Sequence, residues 1–254
     1  MCRLVGLVAA AATSFRTLLK DAPRSLGELS REHRDGWGVG VWGGDAWRVH
    51  KSVHCAAEDP TYAAHAQQHQ GAVLVAHVRQ KTVGPTRLEN THPFVRGHWL
   101  FAHNGTVKDV PYLRRGTAKH FLDMVQGDTD SEVLFSYLLT RLADAGATHA
   151  GPSAERVLRT ACAELRSVPD LGAFNFLLSD GRSLYAHRFG RTMFTLERGP
   201  APKDESGVRL RTQDRAHAVC VASERITDES WEEIPDGTFM TIDGGAIPRR
   251  RLAA

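Results

Sequence analysis

The chain has 254 residues, of which 42% are hydrophobic and 24% charged, a balance typical of a soluble globular protein. Its 32 basic and 29 acidic residues are spread along the chain, so we expect no nucleic-acid partner. The one compact basic run, 248–251, is expected to be a solvated tail. No apolar stretch approaches the ~20 residues that span a bilayer, and no signal peptide is recognisable, so we expect no membrane association.

The cysteines and histidines predict neither a disulfide scaffold nor a structural zinc site. The four cysteines are scattered without a C-x-x-C pair, which favours a reducing, cytoplasmic setting. The 13 histidines include no H-E-x-x-H or similar ligand spacing. We therefore expect neither a metal nor another cofactor.

The N-terminal half is predicted to consist mainly of strands. The chain begins MCRLVGLVAA, and the apolar residues after the second position indicate a buried strand. A hairpin is predicted over 36–53, with its turn at Gly43, Gly44 and Asp45. A helix should run from Asp59 to His69, followed by a buried strand over 72–79. A further strand, 98–103, is expected to end at Asn104 and Gly105.

The C-terminal half is predicted to contain two helices and then more strands. The first helix should begin at Asp130 or Ser131 as N-cap, and the second should follow 151–153. Strands are expected over 174–179, 183–189, 217–223 and 238–243, with a long exposed loop over 198–215. Strands, two helices and strands again predict one layered α+β domain, and no linker divides residues 1–254.

Cys2 is the first residue that raises a question about chemistry. Removal of Met1 would give it both a free α-amino group and a thiol, which is a known arrangement for a self-activating nucleophile. Ten residues alone favour a simpler interpretation, in which Cys2 is a small buried apolar residue.

Further candidate residues lie at the ends of apolar strands, where functional loops concentrate. Asn104 and Gly105 form either an ordinary turn or a pair of donors that could stabilise an oxyanion. Arg79 is either a surface charge or a bidentate partner for a carboxylate, with Thr82 shaping the loop beyond it. The following proline restricts the backbone of His92 and so orients its imidazole. His92 is either a structural histidine or a functional one that points into a site.

The segment GDTDSE, 127–132, is chemically suited to a helix start, because acidic and hydroxyl side chains complement the N-terminal dipole. Asp130 can therefore be a helix cap. It could equally hold the ammonium group of a substrate.

Taken together, these segments resemble the class II glutamine amidotransferases of the N-terminal nucleophile hydrolase superfamily. Seven motifs recur in order up to about residue 190: MC at the start, DGWG (35–38), HVRQ (77–80), ENTHPF (89–94), AHNG (102–105), DTDSE (128–132) and FNFLLSDGR (174–182). The chain is most similar to stand-alone glutaminase-like members, such as the amidohydrolase of ergothioneine biosynthesis. The resemblance implies a four-layer αββα sandwich, which C-terminal strands would complete.

The resemblance also implies a role for each candidate residue. Cys2 would attack a side-chain amide, with its own α-amino group relaying the proton, and would form a thioester that water hydrolyses. Asn104 and Gly105 would hold the oxyanion. The remaining residues would bind a glutamine or γ-glutamyl substrate: Arg79 its carboxylate, Asp130 its ammonium group, and Thr82 and His92 the pocket around it.

One motif position departs from the family pattern. Relatives with a fused synthetase often have an aromatic residue after the carboxylate-binding arginine, where this chain has Gln80. The same closing loop or ammonia channel is therefore not expected. The nitrogen acceptor, an ammonia-consuming partner enzyme and the oligomeric state are left open.

Two other classes of function are alternatives to an amidohydrolase. A binding or regulatory module that senses γ-glutamyl compounds would be expected to have a damaged site, whereas every core motif position is present. A metal hydrolase would use histidines such as His92, His98 and His103, whose spacing is irregular.

Overall fold

The computed structural model describes residues 2–199, 217–245 and 249–253. Thirteen strands lie in these residues. In chain order they are β1 (Arg3–Ser14), β2 (Trp37–Trp42), β3 (Trp47–Ser52), β4 (Gln70–Val78), β5 (Phe94–Arg96), β6 (Trp99–Val107), β7 (Gly172–Ser179), β8 (Ser183–His187), β9 (Phe194–Arg198), β10 (Ala218–Ala222), β11 (Glu232–Glu233), β12 (Phe239–Asp243) and β13 (Arg249–Ala253).

The helices fall between these strands. The α-helices of the described residues are α1 (Leu26–Leu29), α2 (Pro60–Gln68), α3 (Val110–Arg115), α4 (Lys119–Leu122), α5 (Asp130–Asp144) and α6 (Pro152–Ser167). A π-helical turn (Thr17–Asp21) and two 3-10 turns (Ala56–Glu58 and Leu88–Asn90) complete the helical segments of that part of the chain.

The strands form two antiparallel sheets. The order in the seven-stranded sheet is β11-β9-β10-β1-β4-β2-β3, and that in the six-stranded sheet is β13-β12-β8-β7-β6-β5. β1 is therefore central, paired with β10 on one side and with β4 on the other. This central position ties the N-terminal strand, and Cys2 immediately before it, into the middle of the molecule.

Three apolar clusters define four layers. One lies between the seven-stranded sheet and the segments of α1 and α2, with Val5, Leu7 and Tyr62 among its members. The second fills the space between the two sheets, where Leu4 and Val8 project from the other face of β1. The third joins the six-stranded sheet to α5 and α6. β1 is apolar on both faces because both faces are covered, and the predicted αββα sandwich is confirmed.

Several predicted element boundaries were wrong. β6 continues through Asn104 and Gly105 to Val107, since these residues pair with Asn175, Phe174 and Gly172 of β7 instead of turning. The N-cap of α5 is Thr129, whose hydroxyl accepts a hydrogen bond from the Glu132 backbone N–H.

The basic run near the C-terminus is not a solvated tail. Arg250 and Arg251 lie in β13, which pairs with β12. Arg250 forms ion pairs with Glu197 and Glu232. Most of the predicted loop over 198–215 lies outside the described residues. Among the described helices, none is both long and apolar enough to traverse a bilayer.

Candidate active site

Cys2 lies beside the end of β4, because β1 and β4 pair from Arg3 opposite Val78 onward. Its Sγ is 3.3 Å from both the backbone nitrogen and the backbone oxygen of Gln80. The Cys2 carbonyl accepts a hydrogen bond from the Arg3 guanidinium, which is ion-paired to Glu224 at 2.9 Å. These contacts fix the thiol next to the HVRQ segment.

The pKa of the Cys2 thiol reflects two opposing influences. Burial raises this pKa, and the Gln80 hydrogen bond and the Arg79 charge oppose the rise. The net shift is upward, so the protonated thiol is favoured at neutral pH. Nucleophilic chemistry at Cys2 therefore needs a base close by.

Arg79 supports the loop that follows β4. Its terminal guanidinium nitrogens donate hydrogen bonds to the carbonyls of Pro85, Val83 and Gly84, at 3.2, 2.9 and 3.3 Å. The side chain is buried, and Asn90 holds the same loop by donating to Pro85 at 2.9 Å. The arginine thus faces the pocket with its donors shared among main-chain carbonyls.

The edge of β6 that turns away from β7 supplies polar main-chain groups to the site. The Val107 N–H donates to the Asp130 carboxylate at 2.6 Å, while the next N–H, of Lys108, donates to Leu171 on the opposite side. Backbone groups of a strand alternate in direction, so the N–H of Gly105 points to the same side as that of Val107. This edge is unpaired beyond Phe101 in the described residues, because β5 is only three residues long.

Two glycines are required by close main-chain approaches around the site. A Cβ at Gly105 would lie 2.0 Å from the Ala173 carbonyl oxygen and 2.8 Å from Nε2 of His103. A Cβ at Gly38 would lie 2.0 Å from the carbonyl oxygen of His92. The motifs DGWG and AHNG therefore carry glycine where β2 and β6 touch neighbouring backbone.

Three buried histidines lie at the pocket, and two of them, His92 and His103, form part of its wall. The His77 and His92 rings are 4.3 Å apart between centroids, and neither ring has a hydrogen-bonded nitrogen. Burial lowers the pKa of His77 to about 3 and also lowers the pKa of His92 and His103. His103 hydrogen-bonds Ser131 through Nδ1 at 2.8 Å. All three rings are therefore neutral near pH 7.

The structure brings most of the predicted site residues into one small, partly open pocket. The predicted residues that line it are Cys2, Arg79, Thr82, His92, Gly105 and Asp130. Asn104 is buried next to Gly105 on β6 and is not among the lining residues. The pocket thus combines a thiol, a guanidinium, a carboxylate and the polar edge of a strand.

Several residues in or beside this pocket were not predicted to belong to the site. His33 approaches Gln80 with its Nδ1 3.2 Å from Oε1 of the amide, and no motif pointed to it. His103 and Ser131 line the pocket, whereas the sequence suggested His103 only as a possible metal ligand and Ser131 only as a possible helix cap. Gln80 was identified only as the position where the chain differs from relatives with a fused synthetase. Its backbone nitrogen and oxygen hold the Cys2 thiol.

The histidines of the metal-hydrolase alternative do not come together as one ligand set. His92 and His103 line the pocket, whereas His98 packs against His149 with ring centroids 4.6 Å apart. In the part of the chain that the structure describes, the group able to hold a metal is a different one, on β3 and α2.

Comparison with known proteins shows the family to which this chain belongs. The sequence profile of the class-II glutamine amidotransferases matches residues 1–252, and the chain belongs to that family of enzymes. It is 30% identical to the putative glutamine amidotransferase YafJ of Escherichia coli, over 94% of this chain and 96% of that protein. It is 28% identical to the gamma-glutamyl-hercynylcysteine sulfoxide hydrolase of Mycobacterium tuberculosis, over 95% and 93%.

A solved structure agrees with this assignment. The crystal structure of a predicted glutamine amidotransferase from Pseudomonas aeruginosa superposes with a TM-score of 0.68 at 26% identity and covers 100% of both chains. The family predicted from the seven motifs is confirmed, and the protein is an enzyme.

Proposed function

We propose that this enzyme hydrolyses the side-chain amide of glutamine or of a γ-glutamyl compound, with Cys2 as nucleophile. The observation that carries the proposal is the placement of the Cys2 thiol in one pocket with Arg79, Asp130 and the β6 edge at Gly105. Each of these groups matches one part of the substrate or of the reaction. The family assignment supports amide hydrolysis as the class of reaction.

The reaction begins with transfer of the thiol proton. Removal of Met1 would make Cys2 the N-terminal residue, and its α-amino group has an ordinary pKa of ~7.7–8.0, suited to accept a proton near neutrality. The Sγ then bonds to the amide carbon. The amine leaves with the proton, and water cleaves the resulting thioester to regenerate the thiol.

The negative charge of the tetrahedral intermediate would be met by the strand edge of β6. Gly105 directs its N–H toward this side, and Asn104 is the adjoining residue. Preorganised donors of this kind contribute roughly 3–4 kcal/mol each to transition-state stabilisation. The β7 strand behind Gly105 keeps this donor in place.

The two charged side chains would fix the amino-acid end of the substrate. Asp130 already accepts the Val107 N–H through Oδ2, which leaves Oδ1 for the ammonium group. Binding of a carboxylate by Arg79 would require the guanidinium to exchange at least one loop carbonyl for the substrate. Thr82 and His92 would line the space between them.

The leaving group would lie beyond the scissile amide and would not contact Arg79 or Asp130. Free glutamine and a larger γ-glutamyl conjugate would therefore present the same end to Arg79 and Asp130. The similarity to a mycobacterial γ-glutamyl hydrolase supports including conjugates among the substrates. A panel of both kinds of amide would rank them by kcat/KM.

The decisive experiment compares Cys2→Ala with Cys162→Ala, which removes a buried thiol on α6. Amide hydrolysis should disappear in the first variant and persist in the second. Intact mass of the wild-type enzyme should show loss of Met1 and, during turnover, an adduct of one γ-glutamyl group. Undiminished hydrolysis by Cys2→Ala, or full activity with Met1 retained, would refute the proposal.

A further inference from the structure

Three histidines cluster on the outer side of the seven-stranded sheet. His50 lies on β3, the edge strand, and His65 and His69 lie at the C-terminal end of α2. One ring nitrogen of each comes within 4.8 Å of the others. All three are only partly buried, so the cluster is open to ions from solvent.

The local structure explains why the rings meet. His65 and His69 are four residues apart, a spacing that places side chains on the same face of a helix. Nδ1 of His65 is 2.8 Å from Nε2 of His69, and the His50 and His65 rings stack with centroids 3.8 Å apart. His65 and His69 do have the spacing H-x-x-x-H, so the expectation that no ligand-like spacing is present was wrong. The third histidine, His50, comes from a strand fifteen residues earlier in the chain.

We propose that His50, His65 and His69 form a binding site for a divalent transition-metal cation, with Zn²⁺ as the reference ion. Imidazole nitrogens are ligands preferred by zinc, cobalt, nickel and copper. The hydrogen bond between His65 and His69 requires a lone pair on one ring nitrogen and a hydrogen on the other. At least one of these two nitrogens is therefore unprotonated and has a lone pair that a metal could use.

The dimensions of the cluster fit such an ion after small movements. With Zn–N distances of about 2.0–2.1 Å, tetrahedral ligand atoms lie roughly 3.3 Å apart. The His65 and His69 nitrogens would separate by about half an ångström from their present 2.8 Å. His50 would approach by rotation of its ring. A metal bond to both rings would replace the hydrogen bond that is lost.

The site would have three protein ligands among the described residues and an open position for water. It would join the edge strand β3 to the C-terminal end of the helix α2. The site has only these three protein ligands in the described part of the chain, and the positive charge of Arg48 acts on His69. Its affinity for a cation is therefore expected to be lower than that of a closed four-ligand site. The three histidines are separate from the pocket residues around Cys2, and the inference does not depend on the proposed function.

Metal binding can be measured on the full chain without a histidine tag, after treatment with a chelator. Titration with Co²⁺ should produce the visible absorption bands of a tetrahedral complex, and Zn²⁺ should displace them at one equivalent. A hundredfold excess of Zn²⁺ over its Kd should raise the Tm by about 5–10 °C. This readout does not involve amide hydrolysis.

Single variants identify the ligands. His65→Ala and His50→Ala should each weaken Zn²⁺ binding by more than the ~10–100-fold that loss of a supporting outer partner costs. The matched control is His120→Ala, which removes an exposed histidine on α4 and should bind like the wild type. Circular dichroism checks that each variant folds. Equal affinity in all four proteins, or no binding by folded wild type, would overturn the proposal.

Discussion

Gly105 shows how much of the candidate chemistry depends on a missing side chain. The residue lies where β6 passes β7 closely, in a non-hydrogen-bonded pair with Phe174, whose own N–H donates to Phe189. Its peptide can therefore face the pocket while its Cα touches the neighbouring strand. Any larger residue would have to push β6 and β7 apart, which would move the proposed oxyanion donor.

Gly105→Ala is expected to reduce both stability and activity. The new methyl group would lie 2.0 Å from a backbone oxygen of β7, which cannot rotate away as a flexible side chain could. Overpacking of this kind costs about 1–3 kcal/mol, measurable as a lower urea midpoint. Gly199→Ala, whose nearest neighbour would be at an ordinary 3.6 Å, is the control. Two variants of equal stability would contradict this explanation.

The residues of the site were predictable from the sequence to the extent that they lie in motifs. Cys2, Arg79 and Asp130 do meet in one pocket. His33 could not be predicted, because its approach to Gln80 depends on a contact between segments 47 residues apart. The direction of the Gly105 N–H was also hidden, since it follows from strand pairing and not from residue type.

At the scale of elements, the start of α5 is held by a buried acid. The Glu132 carboxylate accepts N–H groups of Gln126 and Gly127 and forms an ion pair with Arg96 of β5 at 2.5 Å. Its side chain is 2% exposed, so these partners replace water almost completely. The network fixes the turn before α5 and, with it, the position of Asp130 in the pocket.

Glu132→Ala is therefore expected to cost about 3–5 kcal/mol in the free energy of unfolding, because Arg96 and two N–H groups lose their partner. Asp123→Ala is the matched control, since Asp123 forms an exposed ion pair with Lys119 at 2.7 Å on α4. That change should stay within about 0.5 kcal/mol. Urea titrations of both variants check the difference, and similar costs would show that burial of Glu132 is unimportant.

Strands that are buried on both sides were predictable as elements, whereas their ends were not. β4 is a continuous apolar run, and the structure places it at Gln70–Val78, close to expectation. β6 extends past Asn104 and Gly105 because β7 offers a partner there, and local turn preference is overridden. β13 was not predicted, because the partners of Arg250, Glu197 and Glu232, lie far from it in the sequence.

At the scale of the whole molecule, the four layers bury titratable groups that the sequence shows only as scattered histidines. His77 lies on β4 between Leu4 of β1 and Gly38 of β2, and it is 0% exposed. Its ring nitrogens have no hydrogen-bond partners. The imidazole of His77 is therefore neutral in the folded protein, and the stability of the entire fold becomes linked to pH.

The sign of that linkage follows from the two pKa values. Burial lowers the pKa of His77 to about 3, whereas an unfolded histidine titrates near ~6.5. Between these values the unfolded chain binds more protons, so stability is fully present above the unfolded pKa and is lost as the pH falls toward the folded one. His92, whose pKa is also lowered by burial, acts in the same direction.

His77→Phe should reduce this pH dependence without abolishing the fold. An aromatic ring is kept beside His92, and any misfit from the larger ring would lower stability by a similar amount at each pH. Between pH 6 and pH 4 the free energy of unfolding should therefore fall less steeply than in wild type, by about 1.4 kcal/mol per pH unit, the limiting contribution of one proton. Urea unfolding at several pH values measures the slope, with His120→Phe on exposed α4 as the control. Parallel slopes for His77→Phe and wild type would mean that His77 is already protonated in the folded protein, and that the layers around it admit a charge.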